Sequence, residues 1–95
     1  MSNTNKSTGT LTVGTTLINN GVAIVAGVSI TAAAADVTVT LYDALTATST
    51  VVFKHILDIT IDGLSTYIQL PDIRCTTGLT AVVAGTGAEV QVHYR

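Results

Sequence analysis

The stretch from Asp36 to Tyr42, DVTVTLY, alternates apolar and polar side chains along most of its length. Because successive side chains of a β-strand point to opposite faces, the alternation predicts a half-buried strand with Val37, Val39 and Leu41 on its core face. Residues of the same kind fill the rest of the chain, which contains eighteen threonines, many valines and isoleucines, and no tryptophan. Since β-branched side chains favour pleated strands, the sequence predicts an all-β fold.

Turn signals divide the chain into short strands. Asn20-Gly21 lies between apolar runs and predicts a β-hairpin, and the Gly-Thr-Gly of residues 85–87 predicts a second hairpin that closes or borders a sheet with the last strand. A strand before Pro71 is expected to end there, because proline cannot donate a ladder hydrogen bond. Gly27, inside the run VAIVAGVSI, predicts a bulge or a close approach of another segment.

The spacing of these strands indicates the fold class. About seven or eight strands, roughly eight to twelve residues apart, are typical of β-sandwiches and jelly rolls. The predicted fold is therefore a compact antiparallel β-sandwich or jelly-roll-like domain over residues 13–95, preceded by an extended polar N-terminal arm over residues 1–12. Two states of the arm are open, a disordered tail or a segment that becomes ordered on a neighbouring subunit.

The composition indicates association. Ninety-five residues form a single domain, of which 47% are hydrophobic and 11% charged, against about 25% charged in ordinary soluble domains. Because a monomer with large exposed apolar patches is prone to aggregate, we expect a homo-oligomer or a subunit of a larger assembly.

Charge and hydropathy exclude two classes of partner. The net charge of −2 and four scattered basic residues argue against nucleic-acid binding. The uncharged run over residues 22–35 is shorter than the roughly 20 residues that a membrane-spanning helix needs, and the polar N-terminus does not resemble a secretory signal. We therefore expect no membrane partner.

No pattern of catalytic or ligand-binding residues stands out. His55 and Asp58 are three residues apart, a spacing that places them on opposite faces of a strand. Cys75 is the single cysteine, so it forms no internal disulfide and is expected to be a buried thiol. We predict a protein that is not an enzyme and that binds no cofactor or metal.

Three segments carry a family resemblance: LYDALTATSTVVFKHILDITI, STYIQLPDI and GLTAVVAGTGAEVQVHYR. Together they resemble small virion structural proteins of tailed bacteriophages, including capsid decoration or cement proteins. The resemblance spans about residues 36–95 and is carried by Tyr42-Asp43, Val51 to Phe53, Gly78-Leu79, the Gly-Thr-Gly turn, and Val90, Val92 and Tyr94. Ser49-Thr50 stand where a glycine is expected before the apolar strand, so the turn there is expected to differ.

The resemblance implies a non-enzymatic virion protein that is assembled in the cytoplasm of a bacterial host. It would be a capsid decoration or cement subunit that binds and stabilises the phage head shell through multivalent contacts, with the major capsid protein or another virion protein as its partner. The excess of apolar residues suggests candidate contacts in the arm, the long apolar run and the last strand: Leu11, Val13, Val22, Ile24, Val28, Ile30, His93 and Arg95. Leu11 and Val13 would add to a neighbour's sheet by strand pairing.

Two other functions are kept as alternatives. One is a tail, neck or fibre component of the same kind of virion. The other is a host-surface carbohydrate-binding module, which would need Tyr42, Tyr67 and Tyr94 to cluster on one face.

Overall fold

The computed structural model describes residues 6–48 and 50–95, so residues 1–5 of the predicted arm and Ser49 of the predicted loop lie outside the described residues. The described chain is all-β and has no helix. Its eight strands are β1 (Lys6–Ser7), β2 (Gly14–Asn20), β3 (Ala23–Thr31), β4 (Val37–Tyr42), β5 (Val51–Leu57), β6 (Ser65–Cys75), β7 (Gly78–Ala84) and β8 (Glu89–Tyr94). The predicted fold class is confirmed at this level.

The strands form two four-stranded antiparallel sheets. Sheet A has the order β1-β8-β3-β6, and sheet B has the order β2-β7-β4-β5. Every connection between consecutive strands passes from one sheet to the other, except the β4–β5 hairpin. β8 lies inside sheet A between β1 and β3, so the last strand of the chain is not at a sheet edge.

Both predicted hairpins are wrong. The Asn20-Gly21 turn joins β2 of sheet B to β3 of sheet A, and residues 85–87 join β7 of sheet B to β8 of sheet A. The turn chemistry was recognised correctly, since Gly21 has a φ of 109° and Gly87 a φ of 77°. These turns serve as corners between sheets because crossing places the apolar faces of both flanking strands against each other.

Pro71 does not end its strand, contrary to the expectation, and β6 continues to Cys75. The register of β6 against β3 shifts between Val25 and Gly27, and Pro71 lies in the bulge that this shift creates. The next residue, Asp72, has a φ of 52°. Proline is tolerated here because β6 is an edge strand and a bulge needs no ladder hydrogen bond at every position.

The residue before β5 has an unusual backbone conformation. Thr50 has a φ of 54°, in the left-handed region that favours glycine, and its carbonyl accepts a hydrogen bond from the Asp43 N–H at 2.9 Å. A threonine therefore adopts the backbone conformation for which a glycine was expected.

The core lies between the inner faces of the two sheets. The predicted core face of β4, Val37, Val39 and Leu41, is fully buried, and so are Val90 and Val92 of β8 in the other sheet. The core is completed by small and branched aliphatic side chains from both sheets: Ala23, Val25, Val28, Ile30, Ala32, Leu57, Leu79, Ala81, Val83 and Ala88, together with Cys75. Packing of these two faces against each other supplies most of the apolar burial of the described chain.

Candidate docking surfaces

The outward surface of sheet B is nearly free of charge. Register places threonines, aliphatic residues and one tyrosine on it: Thr15, Leu17, Thr38, Thr40, Tyr42, Val51, Ile56 and Val82. Among the described residues, Lys54 is the one charged side chain that the strand register places on this surface. We call this surface the B face.

Large aliphatic side chains remain accessible on the B face. Leu17 is 47% exposed, and Val51 and Ile56 are each 55% exposed. Leu17 lies on β2 and the other two on β5, so the two edge strands of sheet B carry apolar groups on either side of β4 and β7. Single exposed aliphatics are common, but a sheet face that carries several of them and little charge is typical of a contact surface.

The outward surface of sheet A is polar. It carries serine, threonine, glutamine, histidine, tyrosine and charged side chains from β3, β6 and β8: Ser29, Thr31, Ser65, Tyr67, Gln69, Arg74, Glu89, Gln91 and His93. We call this surface the A face. Its polarity is that of a solvated sheet surface.

The centre of the A face is held together by side-chain contacts. The Ser29 Oγ and His93 Nε2 atoms are 3.3 Å apart, and the rings of Tyr67 and His93 meet edge to face with centroids 5.8 Å apart. The Tyr67 ring lies over Gly27, where a Cβ atom would overlap its hydroxyl group. Gly27 therefore provides the predicted bulge and also the predicted close approach.

These contacts of His93 do not form a nucleophile site. Activation of a hydroxyl requires a base that a third group orients, commonly a carboxylate. The described partners of His93 are Ser29 and Tyr67, neither of which is a carboxylate. The arrangement is that of side chains packed across three neighbouring strands.

Within residues 6–48 and 50–95, no group of three or more His, Cys, Asp or Glu side chains is arranged to hold a metal ion. His55 stacks on Phe53 with ring centroids 6.4 Å apart, while Asp58 binds the N–H and the hydroxyl of Thr60. These hydrogen bonds lower the pKa of Asp58, the Thr60 hydroxyl having the larger effect. His55 therefore packs within β5, whereas Asp58 stabilises the turn that follows it.

Asp43 ties the loop after β4 to the connection between β6 and β7. Its carboxylate accepts backbone N–H hydrogen bonds from Thr76 at 3.0 Å and Thr77 at 2.8 Å. These donors favour the charged carboxylate and hold the pKa of Asp43 below its usual range. The neighbouring Cys75 is a buried free thiol, whose pKa is raised by burial and by the negative charge of Asp43.

The predicted contact residues are distributed over several parts of the molecule. Val13 and Val22 are about half exposed. Leu11 is partly buried and forms an isolated bridge with Val90 of its own chain. Val28 and Ile30 lie in the core, so their inclusion as contacts is corrected: β3 is a central strand, and both side chains point towards sheet B.

The remaining predicted contacts lie on or beside sheet A. Ile24 is half-buried and exchanges backbone hydrogen bonds with Arg95 at 2.8 and 2.9 Å. The Arg95 guanidinium also pairs with Asp72 at 2.7 Å. His93 belongs to the central cluster of the A face.

Sequence reasoning did not identify Leu17, Val51 and Ile56 as surface residues. The run VVFKHIL has apolar residues in both phases of the alternation, so it does not indicate that Leu57 points inward and Ile56 outward. That assignment depends on the register with β4, where Val37 opposes Leu57 and Thr38 opposes Ile56.

The three tyrosines lie on different surfaces. Tyr67 is on the A face, Tyr42 is on the B face, and Tyr94 packs against the core. A flat sugar platform needs aromatic rings side by side, and the described tyrosines do not provide one.

In the part of the chain that the structure describes, no helix is long and apolar enough to cross a membrane. A scan against models of protein families, a search of curated proteins and a search of solved structures each found no match.

Proposed function

We propose that this protein is a non-enzymatic structural subunit of a bacteriophage virion, of the capsid decoration type, which binds and stabilises the head shell. The observation that carries the proposal is the B face, on which Leu17, Val51 and Ile56 are exposed and Lys54 is the one charged side chain that the described register places there. Such a surface favours a permanent protein contact over solvent. Its partner is the major capsid protein or another virion protein.

We further propose that the two sheets form a jelly roll. The orders β1-β8-β3-β6 and β2-β7-β4-β5 correspond to the eight-stranded double Greek key that occurs in viral capsid and lectin domains. Fold alone does not define function, so this correspondence supports the proposal only together with the B face and the family resemblance.

The dimensions of the molecule suit docking through a sheet face. The principal extents are 40 × 28 × 19 Å. The shortest extent matches two sheets about 10 Å apart with their outer side chains, so each outer face occupies the broad side of the molecule. That side is large enough for a standard interface of about 800 Å² per partner.

On this proposal the A face remains in solvent and the B face meets the shell. Many copies bind at symmetry-related positions, each contact is modest, and the sum of the contacts stabilises the shell. Self-association of the subunits contributes in the same way.

The experiment mixes the purified full-length chain with phage head shells stripped of their small subunits and measures bound stoichiometry by light scattering after size-exclusion chromatography. The test variant is Leu17→Glu combined with Ile56→Glu. The matched control places the same two charges on the A face, as Gln69→Glu with Gln91→Glu. We expect stoichiometric binding by the wild type and the control, and at least about tenfold weaker binding by the test variant, because charges are buried against an apolar contact.

Three results would contradict the proposal. Equal binding by the two double variants would exclude the B face as the contact. No binding by the wild type would exclude the shell as the partner. A stable oligomer that ignores shells would favour a tail, neck or fibre component instead.

A further inference from the structure

Among the residues that the structure describes, those that cover the outer edge of β8 are residues 6–11, which we call the arm segment. Lys6 and Ser7 are in register with Tyr94 and His93. Leu11 exchanges two backbone hydrogen bonds with Val90, at 2.7 and 2.9 Å. Without the arm segment, β8 would present unpaired N–H and C=O groups along the edge of sheet A.

Two side chains adapt the arm segment to this edge. The Thr8 N–H donates to the Val92 carbonyl at 3.1 Å, and the Thr8 hydroxyl oxygen accepts the Val92 N–H at 3.1 Å. Leu11 packs against the core beside β8. The other arm side chains, Lys6, Ser7 and Thr10, are exposed. The arm segment therefore binds β8 through a backbone ladder and two specific side chains.

The link from the arm segment to the rest of the chain is short and is followed by a glycine. Thr12 and Val13 are exposed where the chain passes from sheet A to sheet B. Gly14 has a φ of 137°, and a Cβ atom at that position would have no heavy atom within 4 Å. Backbone rotation at Gly14 and in the two exposed residues before it swings the arm segment away from β8 while the core strands stay in place.

We propose that the arm segment exchanges between copies, so that residues 6–11 of one chain pair with β8 of a second chain. The occupant is another arm segment because Thr8 and Leu11 supply the side-chain contacts that an unrelated strand would lack. The exchanged pairing re-forms the same hydrogen bonds and the same Leu11 burial, so the closed and exchanged forms differ mainly in association entropy. High local concentration favours exchange.

This inference goes beyond docking on the shell, since it concerns contacts between copies. Its test uses the purified chain alone, so its failure and the failure of the proposed function are distinguishable.

The test traps the arm segment with a disulfide. Because Thr8 donates to Val92, the flanking Ser7–His93 pair is of the non-hydrogen-bonded kind, whose side chains lie closest together. Its expected Cα separation of about 4.5 Å suits a disulfide. The variant is Ser7→Cys with His93→Cys, in a Cys75→Ala background that removes the native thiol.

The matched control is Thr31→Cys with Ser65→Cys in the same background. Ala32 donates to Leu64 at 2.7 Å, so Thr31 and Ser65 also form a non-hydrogen-bonded pair, but on β3 and β6, which cannot exchange without unfolding. Both variants are equilibrated over a range of protein concentrations, oxidised, and analysed by non-reducing electrophoresis. We expect covalent dimers and larger species for the arm variant, increasing with concentration, and monomers alone for the control.

Exclusively intrachain disulfides in the arm variant at every concentration would overturn the proposal. A second variant covers the case in which the engineered pair does not oxidise. Deletion of Thr12 and Val13 prevents the arm segment from reaching β8 of its own chain, and we expect light scattering to show a dimer or larger species. A monomer with an unpaired arm would likewise overturn the proposal.

Discussion

The two sheets present similar inner faces to each other and very different outer faces to their surroundings. Inside, Ile30 of sheet A and Leu41 of sheet B are equally buried. Outside, the A face carries charged and amide side chains around a cluster of Ser29, Tyr67 and His93, whereas the B face carries threonines and exposed aliphatics. The inner faces are constrained by packing, while each outer face reflects what it contacts.

The two outer faces differ in how much they contribute to the stability of the fold and in how much they offer to a binding partner. The polar cluster of the A face is bonded within its own sheet, so its residues contribute to the fold and need no partner. The exposed aliphatics of the B face contribute little to the fold, because about half of each side chain remains in water. Substitutions can therefore distinguish three environments: the core shared by both sheets, the A face with its side-chain contacts, and the B face with its exposed aliphatic side chains.

The largest expected effect tests the equivalence of the inner faces. Ile30→Ala in sheet A and Leu41→Ala in sheet B should each lower the free energy of unfolding by about 2–5 kcal/mol, since each leaves a cavity in a closely packed core. Urea denaturation followed by circular dichroism measures both values. A cost below about 1 kcal/mol for either variant would show that its sheet is not packed as described.

A smaller effect tests the centre of the A face. Gly27→Ala should destabilise the fold by about 1–3 kcal/mol, because the new Cβ overlaps the Tyr67 hydroxyl and approaches the Ile68 carbonyl oxygen at 3.1 Å. In a double-mutant cycle with Tyr67→Ala, much of this cost should disappear, while the contact with the Ile68 backbone remains. Purely additive effects would show that Tyr67 does not cover Gly27.

A third prediction concerns the hydrogen bonds from Thr76 and Thr77 to the Asp43 carboxylate, which join the loop after β4 to the connection between β6 and β7. The pKa of Asp43 is lowered in the fold, so its carboxylate stabilises the native state above about pH 4, the ordinary value for unfolded Asp. This contribution is lost as the pH falls through the lowered, folded-state pKa. The melting temperature of the wild type should therefore fall more steeply below pH 4 than that of Asp43→Asn.

The control for the acid titration is Glu89→Gln, which removes an exposed carboxylate from the A face. Its melting curve should keep the acid dependence of the wild type. Parallel curves for Asp43→Asn and the wild type would exclude the hydrogen bonds from Thr76 and Thr77 as a source of acid sensitivity.

The smallest expected effect tests the B face without a partner. Leu17→Glu and Ile56→Glu should each change the free energy of unfolding of the isolated chain by no more than about 0.5 kcal/mol, because each side chain lies on the surface with about half of its area in water. The same limit should hold for Gln69→Glu on the A face. Losses of several kcal/mol on the B face alone would mean that these aliphatics belong to the core.

The failed sequence predictions share one physical cause. Asn20-Gly21 and residues 85–87 have turn-forming residues, but turn chemistry does not specify whether the following strand stays in the same sheet. The expectation that a strand ends at Pro71 failed because Pro71 lies in a bulge of an edge strand. That bulge depends on the pairing of β6 with β3, which is distant in sequence. Long-range pairing decided each of these points.

The candidate contacts show the same division. Val28 and Ile30 belong to an apolar run that lacks a clear alternation, and only the register of β3 against β8 reveals that they point inward. Ile56 lies beside Leu57 in another such run, and the register against β4 reveals that it points outward. Where alternation was clear, as at Val37, Val39 and Leu41, the predicted core face is confirmed.

The sequence by itself determined the all-β class, the approximate number of strands, the core face of the alternating strands and the low charge of the chain, because these follow from local propensity and from a period of two. The tertiary structure decided which turns cross between sheets, that Pro71 lies in an edge bulge, and that Leu17, Val51 and Ile56 point outward from sheet B. These features depend on pairing between distant strands, which no local pattern in the chain specifies.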